Sequence, residues 1–309
     1  MLQYGLKRIL GSLPTLFILL ALVFFLLRLA PGGPFDTDHA WPPEIQANIL
    51  RRYGLDQPVW VQFGQWMRDL VQGDLRESFQ YIGRPVREMI AESLPVSMSL
   101  GFAALLFSVA VGVPLGAIAA WKRNSWMDAS AVFIAVSGLS LPTYLLASLL
   151  ILLFSMWLGW LPPALWEGPS SMVLPMITLG YRPLAVIARL TRASMLESFQ
   201  SDYIRTARGK GLTEKVIVFK HALRNSLIPI LSVMGPLAAN LVTGSFLVEI
   251  VFQIPGIGKH FVQAVMNRDY PMVMGVTLVY GVILIGSNLL VDLLYGWADP
   301  RIKLETRNA

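Results

Sequence analysis

Cysteine is absent from the 309 residues, which excludes a disulfide framework, a thiolate nucleophile and any cysteine-based metal site. Histidine is scarce and scattered, at His39, His221 and His260, with no HExxH or similar spacing, so no metal centre is expected. Charged residues make up 14% of the chain, well under the roughly 25% of an ordinary soluble domain. No GxxxxGK phosphate loop occurs: Ile204 and Gln253 stand where the first glycine would be needed before Gly209-Lys210 and Gly258-Lys259. GxSxG is also missing, and no Ser, His and Asp set suggests itself. The expectation is a non-catalytic chain with no catalytic residues and no cofactor of its own, any ATP chemistry residing in another subunit. No internal repeat or low-complexity segment is visible.

What the sequence has in quantity is apolar length. Hydrophobic residues make up 55% of it and the mean hydropathy is +0.58. A bilayer core of about 30 Å needs about 20 apolar residues per helix. Runs of that kind lie near 11–30, 97–121, 129–161, 172–190, 227–252 and 273–297. The first is too long for a signal-peptide core and is followed by Pro31, Gly32, Gly33 and Pro34 rather than a cleavage site, so it reads as a retained helix. The third is long enough for two helices, but Ser140 and Pro142 fit inside a single kinked or tilted span. The fold class expected is an all-α polytopic membrane protein with six transmembrane helices.

Lys and Arg in short loops mark the cytoplasmic side. Lys7 and Arg8, Lys122 and Arg123, the cluster from Arg192 to Arg224, and Arg301, Lys303 and Arg307 fall on one side, which places the N- and C-termini in the cytoplasm. Segment 158–171 has no Lys or Arg, and 31–95 carries 6 basic against 9 acidic residues. The net charge of +6 is thus topological and argues against a nucleic-acid partner. Trp121, Trp126, Trp157, Trp160, Trp166 and Trp297 suit interfacial belts in contact with lipid.

Three regions follow: 1–30, an N-terminal segment with the first span; 31–95, an extracytoplasmic helical region; and 96–309, a core with the remaining spans. In 31–95, Ile45, Ile49 and Leu50, closed by Gly54, and Trp60, Phe63, Trp66, Met67 and Leu70, closed by Gly73, form apolar helix stripes that suit packing on the membrane or on other helices.

Between the fourth and fifth runs stands YIRTARGKGLTEKVIVFKHALRNSLIP. Asp202 or Ser201 is suited to cap a short helix through Arg208, with Gly209 and Gly211 supplying positive φ to end it. Thr213 is suited to cap a second short helix. Two helices joined at a glycine make a rigid knob, fit to dock a cytoplasmic partner; a basic loop serving topology alone is the plainer reading.

Arg205-Thr206-Ala207, then Gly211, His221-Ala222-Leu223 and Leu227-Ile228-Pro229, resemble the coupling loop of permease subunits in ATP-binding-cassette importers. The variant is that of the dipeptide, oligopeptide and nickel permease family, most like the B-type membrane subunits of its oligopeptide branch. RLAPGGP (Arg28 to Pro34), GDL with Ser78-Phe79, FLVEIVFQIPGIG (Phe246 to Gly258), NRDYP (Asn267 to Pro271) and DPRI (Asp299 to Ile302) agree, so the likeness spans nearly the whole chain. Arg205 stands where the general motif has glutamate and Arg224 where it has proline, so no ion pair with an ATPase carries over.

The resemblance implies a type I importer architecture in the bacterial inner membrane. It implies a second homologous permease subunit, two ATPase subunits using ATP and Mg, and an extracytoplasmic peptide-binding protein. It makes Arg205, Thr206, Ala207, Gly211, Leu212 and His221 the ATPase-coupling loop, with Ala207 and Gly211 small where a groove receives backbone. Oligopeptide is the substrate expected first; dipeptide, nickel, peptide antibiotic and oligosaccharide are alternatives. Charges inside spans are costly and mark sites by default, so Arg182, Glu249 and Asp292 are translocation-path candidates. Arg182 equally suits pairing with Asp292, Glu249 suits a gate or an interfacial charge, and Arg28 suits snorkelling. The GIGKHFVQAVMNRDYP stretch suits a re-entrant contact with the binding protein or a plain loop. Outside the family the alternative is a proton-coupled transporter, with Asp292 as the only deep carboxylate.

Overall fold

The computed structural model describes residues 2–35, 43–243 and 245–298. Among them the chain is helical, the sole extended pairing being an isolated bridge between Glu77 and Pro85. The helices are α1 (Leu2–Leu29), α2 (Pro43–Arg52), α3 (Val59–Val71), α4 (Val86–Trp121), α5 (Trp126–Ser140), α6 (Thr143–Leu150), α7 (Pro169–Ser198), α8 (Asp202–Gly209), α9 (Glu214–Val216), α10 (Leu223–Val242), α11 (Phe246–Val251), α12 (Ile257–Met266) and α13 (Tyr270–Ala298). A π turn, Ile151–Trp157, extends α6, and another, Ile217–Ala222, joins α9 to α10. Five helical stretches are long and apolar enough to cross a bilayer, six with the α5–α6 pair. Helices are the form such runs take in lipid, where each backbone polar group must be satisfied within the segment.

Two details go beyond the sequence reading. The third run is a sharply bent helix pair, α5 and α6 meeting at 115°, and it supplies the sixth span when the pair is taken as one. Leu141, which precedes Pro142, is extended at φ −76° and ψ 126°, as the proline ring demands of its predecessor, so the helix breaks instead of bending. The helix that contains the second run also starts before 97. α4 opens at Val86, carries Pro95 and Pro114 inside it and runs 36 residues, about 54 Å at 1.5 Å per residue. The boundary at 95 therefore falls within a helix.

α7 is the most enclosed span, and α4 is its principal neighbour. Small residues bring them together. A Cβ on Gly112 would lie 2.9 Å from the Leu184 carbonyl oxygen, one on Gly116 2.3 Å from that of Ala188, and one on Gly180 2.8 Å from that of Ala104. The Ser108 hydroxyl sits 2.7 Å from the Gly180 carbonyl oxygen. Gly101 meets α10 in the same way at Leu241. Gly101, Ala104, Ser108, Gly112 and Gly116 form one stripe of small residues at helical spacing, the device by which membrane helices approach closely.

Outside this bundle α3 packs on α1 through Phe24, Phe63 and Trp66. Arg28 does not snorkel: its guanidinium lies 3.4 Å from the Phe24 ring centroid and donates to Gln62 Oε1 at 2.9 Å. Gln62 is itself buried and donates to the Leu55 and Gln57 carbonyls. The arginine thus ties the end of α1 to the turn before α3.

Candidate functional site

α8 is a short amphipathic helix seated across the ends of three longer ones. Ile204 and Ala207 are buried against Ala117 and Ala120 of α4, Met195 of α7 and Ile217, Val218 and Ala222 of the π turn. Asp202, Arg205, Thr206, Arg208, Lys210, Gly211 and Leu212 are exposed. Gly211 has φ +77°; its N–H donates to the Arg208 carbonyl at 2.9 Å and the Leu212 N–H to that of Ala207 at 3.3 Å. This is a Schellman closure with glycine at the left-handed position. Arg208 Nε then reaches Glu214 Oε1 at 3.0 Å, tying the helix to the far side of its turn.

Details differ from the sequence reading. Gly209 is the last helical residue and Gly211 alone of the two has positive φ. Neither Ser201 nor Thr213 caps through its side chain; the Ser201 hydroxyl is turned back to the Ser198 carbonyl. The second helix is not short, since it runs through the π turn into α10. Of the residues expected to form a coupling loop, Arg205, Thr206, Gly211 and Leu212 are exposed on the knob, whereas Ala207 is buried against the chain's own helices. His221, half-buried, lies on the root of α10 beside Lys220 and Arg224.

The three path candidates have different surroundings. Arg182 is exposed midway along α7, with no hydrogen bond or ion pair to any described residue. Glu249 is fully buried and faces the chain's own interior. Ser97 Oγ donates to its Oε1 at 2.7 Å and the Lys259 amide to its Oε2 at 2.8 Å. Ser97 Oγ in turn accepts from the Ile257 amide at 2.9 Å. Glu249 and Ser97 together satisfy the start of α12, where free N–H groups collect and a negative charge is favoured. Gly256 and Gly258 leave room for this carboxylate, since a Cβ on Gly256 would stand 2.4 Å from Glu249 Cδ. Asp292 lies on α13, but its side chain is outside the described residues, as is the DPRI segment.

The sequence reading passed over two further polar ties. Asp128 at the start of α5 is buried and takes a two-pronged contact from Arg192 of α7, at 2.6 Å and 2.9 Å. Asp269, also buried, accepts from the Ser78 hydroxyl and from the Phe79 amide at 3.1 Å. Arg268 reaches the Gly33 carbonyl at 3.2 Å. The PGGP, Ser78-Phe79 and NRDYP segments, far apart in sequence, thus meet on one face. His260 stands near this face, where burial, with Lys259 and Arg84 nearby, pushes its pKa down.

This architecture is that of a multi-pass membrane permease. The profile described as "Binding-protein-dependent transport system inner membrane component" matches residues 112–304, and its N-terminal counterpart matches residues 1–101. The chain belongs to this family. It is 43% identical over 305 residues to the oligopeptide transport system permease protein OppB of Salmonella typhimurium, covering 98% of this chain and 100% of that one. It is 43% identical over 307 residues to the dipeptide transport system permease protein DppB of Bacillus subtilis, covering 99% and 100%. A chain of the MetNI methionine ABC transporter in an inward-facing conformation superposes with a TM-score of 0.56 at 19% identity, over 69% of this chain and 97% of that one. An amino acid ABC transporter chain gives 0.54 at 17%, over 68% and 94%. These likenesses show the fold.

Proposed function

We propose that this chain is one of two homologous membrane subunits of an ATP-driven peptide importer, oligopeptides being its principal cargo. It supplies half of the translocation path and hydrolyses nothing itself. Two ATPase subunits, holding ATP and Mg, dock on the cytoplasmic side where both termini lie, and a peptide-binding protein delivers cargo to the opposite face. The observation that carries this reading is the seat of α8. Its inner face is packed onto α4, α7 and the root of α10, so a push on its exposed outer face moves spans directly instead of being absorbed by a loose loop. Arg182, an exposed charge midway along α7 without a partner among the described residues, suits the wall of a hydrated path and the carboxylate of a peptide. Glu249 suits an anchoring role at the outer face, not the path.

The test is ATPase activity of the reconstituted importer with peptide-loaded binding protein. Arg205→Glu with Leu212→Asp changes the exposed face of α8 and none of its buried contacts. Loss of both co-purifying ATPase and stimulated activity, with the spans still folded, is expected; retention of full stimulation refutes the coupling role. Dipeptide import is a second reading, favoured by the equal 43% identity to a dipeptide permease. Uptake of labelled di-, tri- and pentapeptides separates the two.

A further inference from the structure

The root of α10 carries a basic cavity that the coupling role of α8 leaves unused. It has a volume of about 730 Å³. Lys220 of the π turn and Arg224, four residues on, line it with His221, Tyr203 of α8 and Asn225. Leu227, Ile228 and Leu231 continue the same wall further along α10. No acidic residue among the described ones lines it. Lys220 and Arg224 have no ion-pair partner among the described residues, while Arg192, Arg205 and Arg208 nearby pair with Asp128, Asp202 and Glu214.

Lys220, Arg224, Leu227 and Leu231 recur at four-, three- and four-residue spacing, so they share a helix face. Along that face the character changes from cationic to aliphatic in the direction of the helix axis, from the α8 end into the span. A helix that only packed against protein would vary around its axis. A change along the axis matches the bilayer's own profile, phosphate outside and acyl chain within. The cations are also unneutralised where the membrane surface is negative, and each basic group there attracts anionic lipid.

We infer that this cavity binds an anionic phospholipid, its phosphate held between Lys220 and Arg224 and its first methylenes against Leu227, Ile228 and Leu231. The Tyr203 hydroxyl, set among Ser198, Ser201 and Asn225, brings α8 to the same headgroup, so an occupied site braces the knob against the span it drives. A soluble phosphate ester offers the same charge but leaves the aliphatic wall bare.

Native mass spectrometry of the full chain in its assembled complex tests this, with phosphatidylglycerol, phosphatidylcholine and inorganic phosphate as separate probes. Phosphatidylglycerol is expected to stay bound and phosphatidylcholine to be lost. Lys220→Gln with Arg224→Gln should weaken retention about thirty-fold, and Lys220→Gln alone about five-fold. Lys215→Gln, an exposed change away from the cavity, should have no effect. Lys220 is exposed, so its single substitution remains informative if the double variant fails to assemble. Equal retention of phosphatidylcholine, unchanged retention by the variants, or displacement by inorganic phosphate at matched concentration would each overturn the lipid assignment. So would a lipid held by the separate chain but absent from the complex, since the cavity would then be a subunit contact.

Discussion

Gly116→Ala is the substitution for which the structure permits the most complete reckoning. The added Cβ would stand 2.3 Å from the Ala188 carbonyl oxygen and 2.7 Å from Thr191 Cβ. Neither neighbour is the free end of a flexible chain, so relief to a normal contact near 3.5 Å requires α4 and α7 to part by about 1 Å. Overpacking of this kind costs about 1–3 kcal/mol. The same separation would stretch the Ser108 contact to the Gly180 carbonyl, now 2.7 Å, beyond hydrogen-bonding range, adding about 1 kcal/mol. Alanine returns about 1 kcal/mol through its better helix propensity. The net loss is about 1–3 kcal/mol, or about 2–5 °C in Tm for a chain of this size. Thermal unfolding of the detergent-solubilised complex, followed by size-exclusion of the tagged chain, reads it. The control is Gly286→Ala on α13, whose Cβ would meet nothing within 4 Å; it should be neutral or slightly stabilising. If both variants melt alike, close α4–α7 packing is not what these glycines provide.

Gly211→Ala should cost about 1 kcal/mol, because φ +77° is strained for any residue with a Cβ, while Gly209→Ala, inside the helix, should be neutral or better; ATPase stimulation in reconstituted importer should fall only in the first. Asp128→Asn leaves the Arg192 guanidinium without its counter-charge at a site only 28% exposed and should cost about 2 kcal/mol, with little further loss in the double variant with Arg192→Gln, as a double-mutant thermal cycle would show. Arg182→Gln should leave Tm unchanged and lower uptake of peptides with a free C-terminal carboxylate more than of amidated ones; a lowered Tm would mean that Arg182 is structural. His260 has a pKa below its ordinary 6.5, so the unfolded chain binds the proton more readily than the folded one; its contribution is intact above pH 6.5 and declines as pH falls below it. Replacing His260 with Asn should flatten the fall in Tm between pH 7 and pH 5; an unchanged slope would assign the acid sensitivity elsewhere.

The spans were legible because apolar length is a one-dimensional property: all six runs contain a helix or helix pair. Their ends were less so. The second run reads from 97, yet backbone helicity reaches back through the charged residues Glu88 and Glu92 to Val86. The break at Pro142 rested on a signal that was present, a proline inside a long run, but sequence alone does not weigh a kink against a fracture. Gly112 and Gly116 stand four apart in plain view, and their partner helix does not. Ala207 reads as small where a groove receives backbone, whereas it packs inward beside Ile204, three residues before it on the same helix face. What no local pattern carries is pairing across the chain: Glu249 with Ser97, Asp269 with Ser78, Arg28 with Gln62 and Asp128 with Arg192 are each set by tertiary structure.

Those pairings bear on where transport occurs. A charge within an apolar span is tolerated when the fold supplies partners, and most such charges here have them: Arg28 has Gln62, Asp128 has Arg192, and Glu249 has Ser97 and the start of α12. Each of these sits near a span end and fastens one element to another. Among the described side chains of α7, Arg182 and Arg189 have no such partner; both are exposed, and seven residues apart they share one helix face. That face is buried on one side of Arg182, at Thr178 and Leu179, and on the other passes from buried Ala185 and half-buried Val186 to exposed Arg189. A charge pointing into lipid is costly, which is the reason the proposed path is drawn along Arg182 and Arg189. On the proposed reading, the helix most enclosed by its own chain, and carrying α8 against its end, is also the one that presents the path to whatever α8 moves.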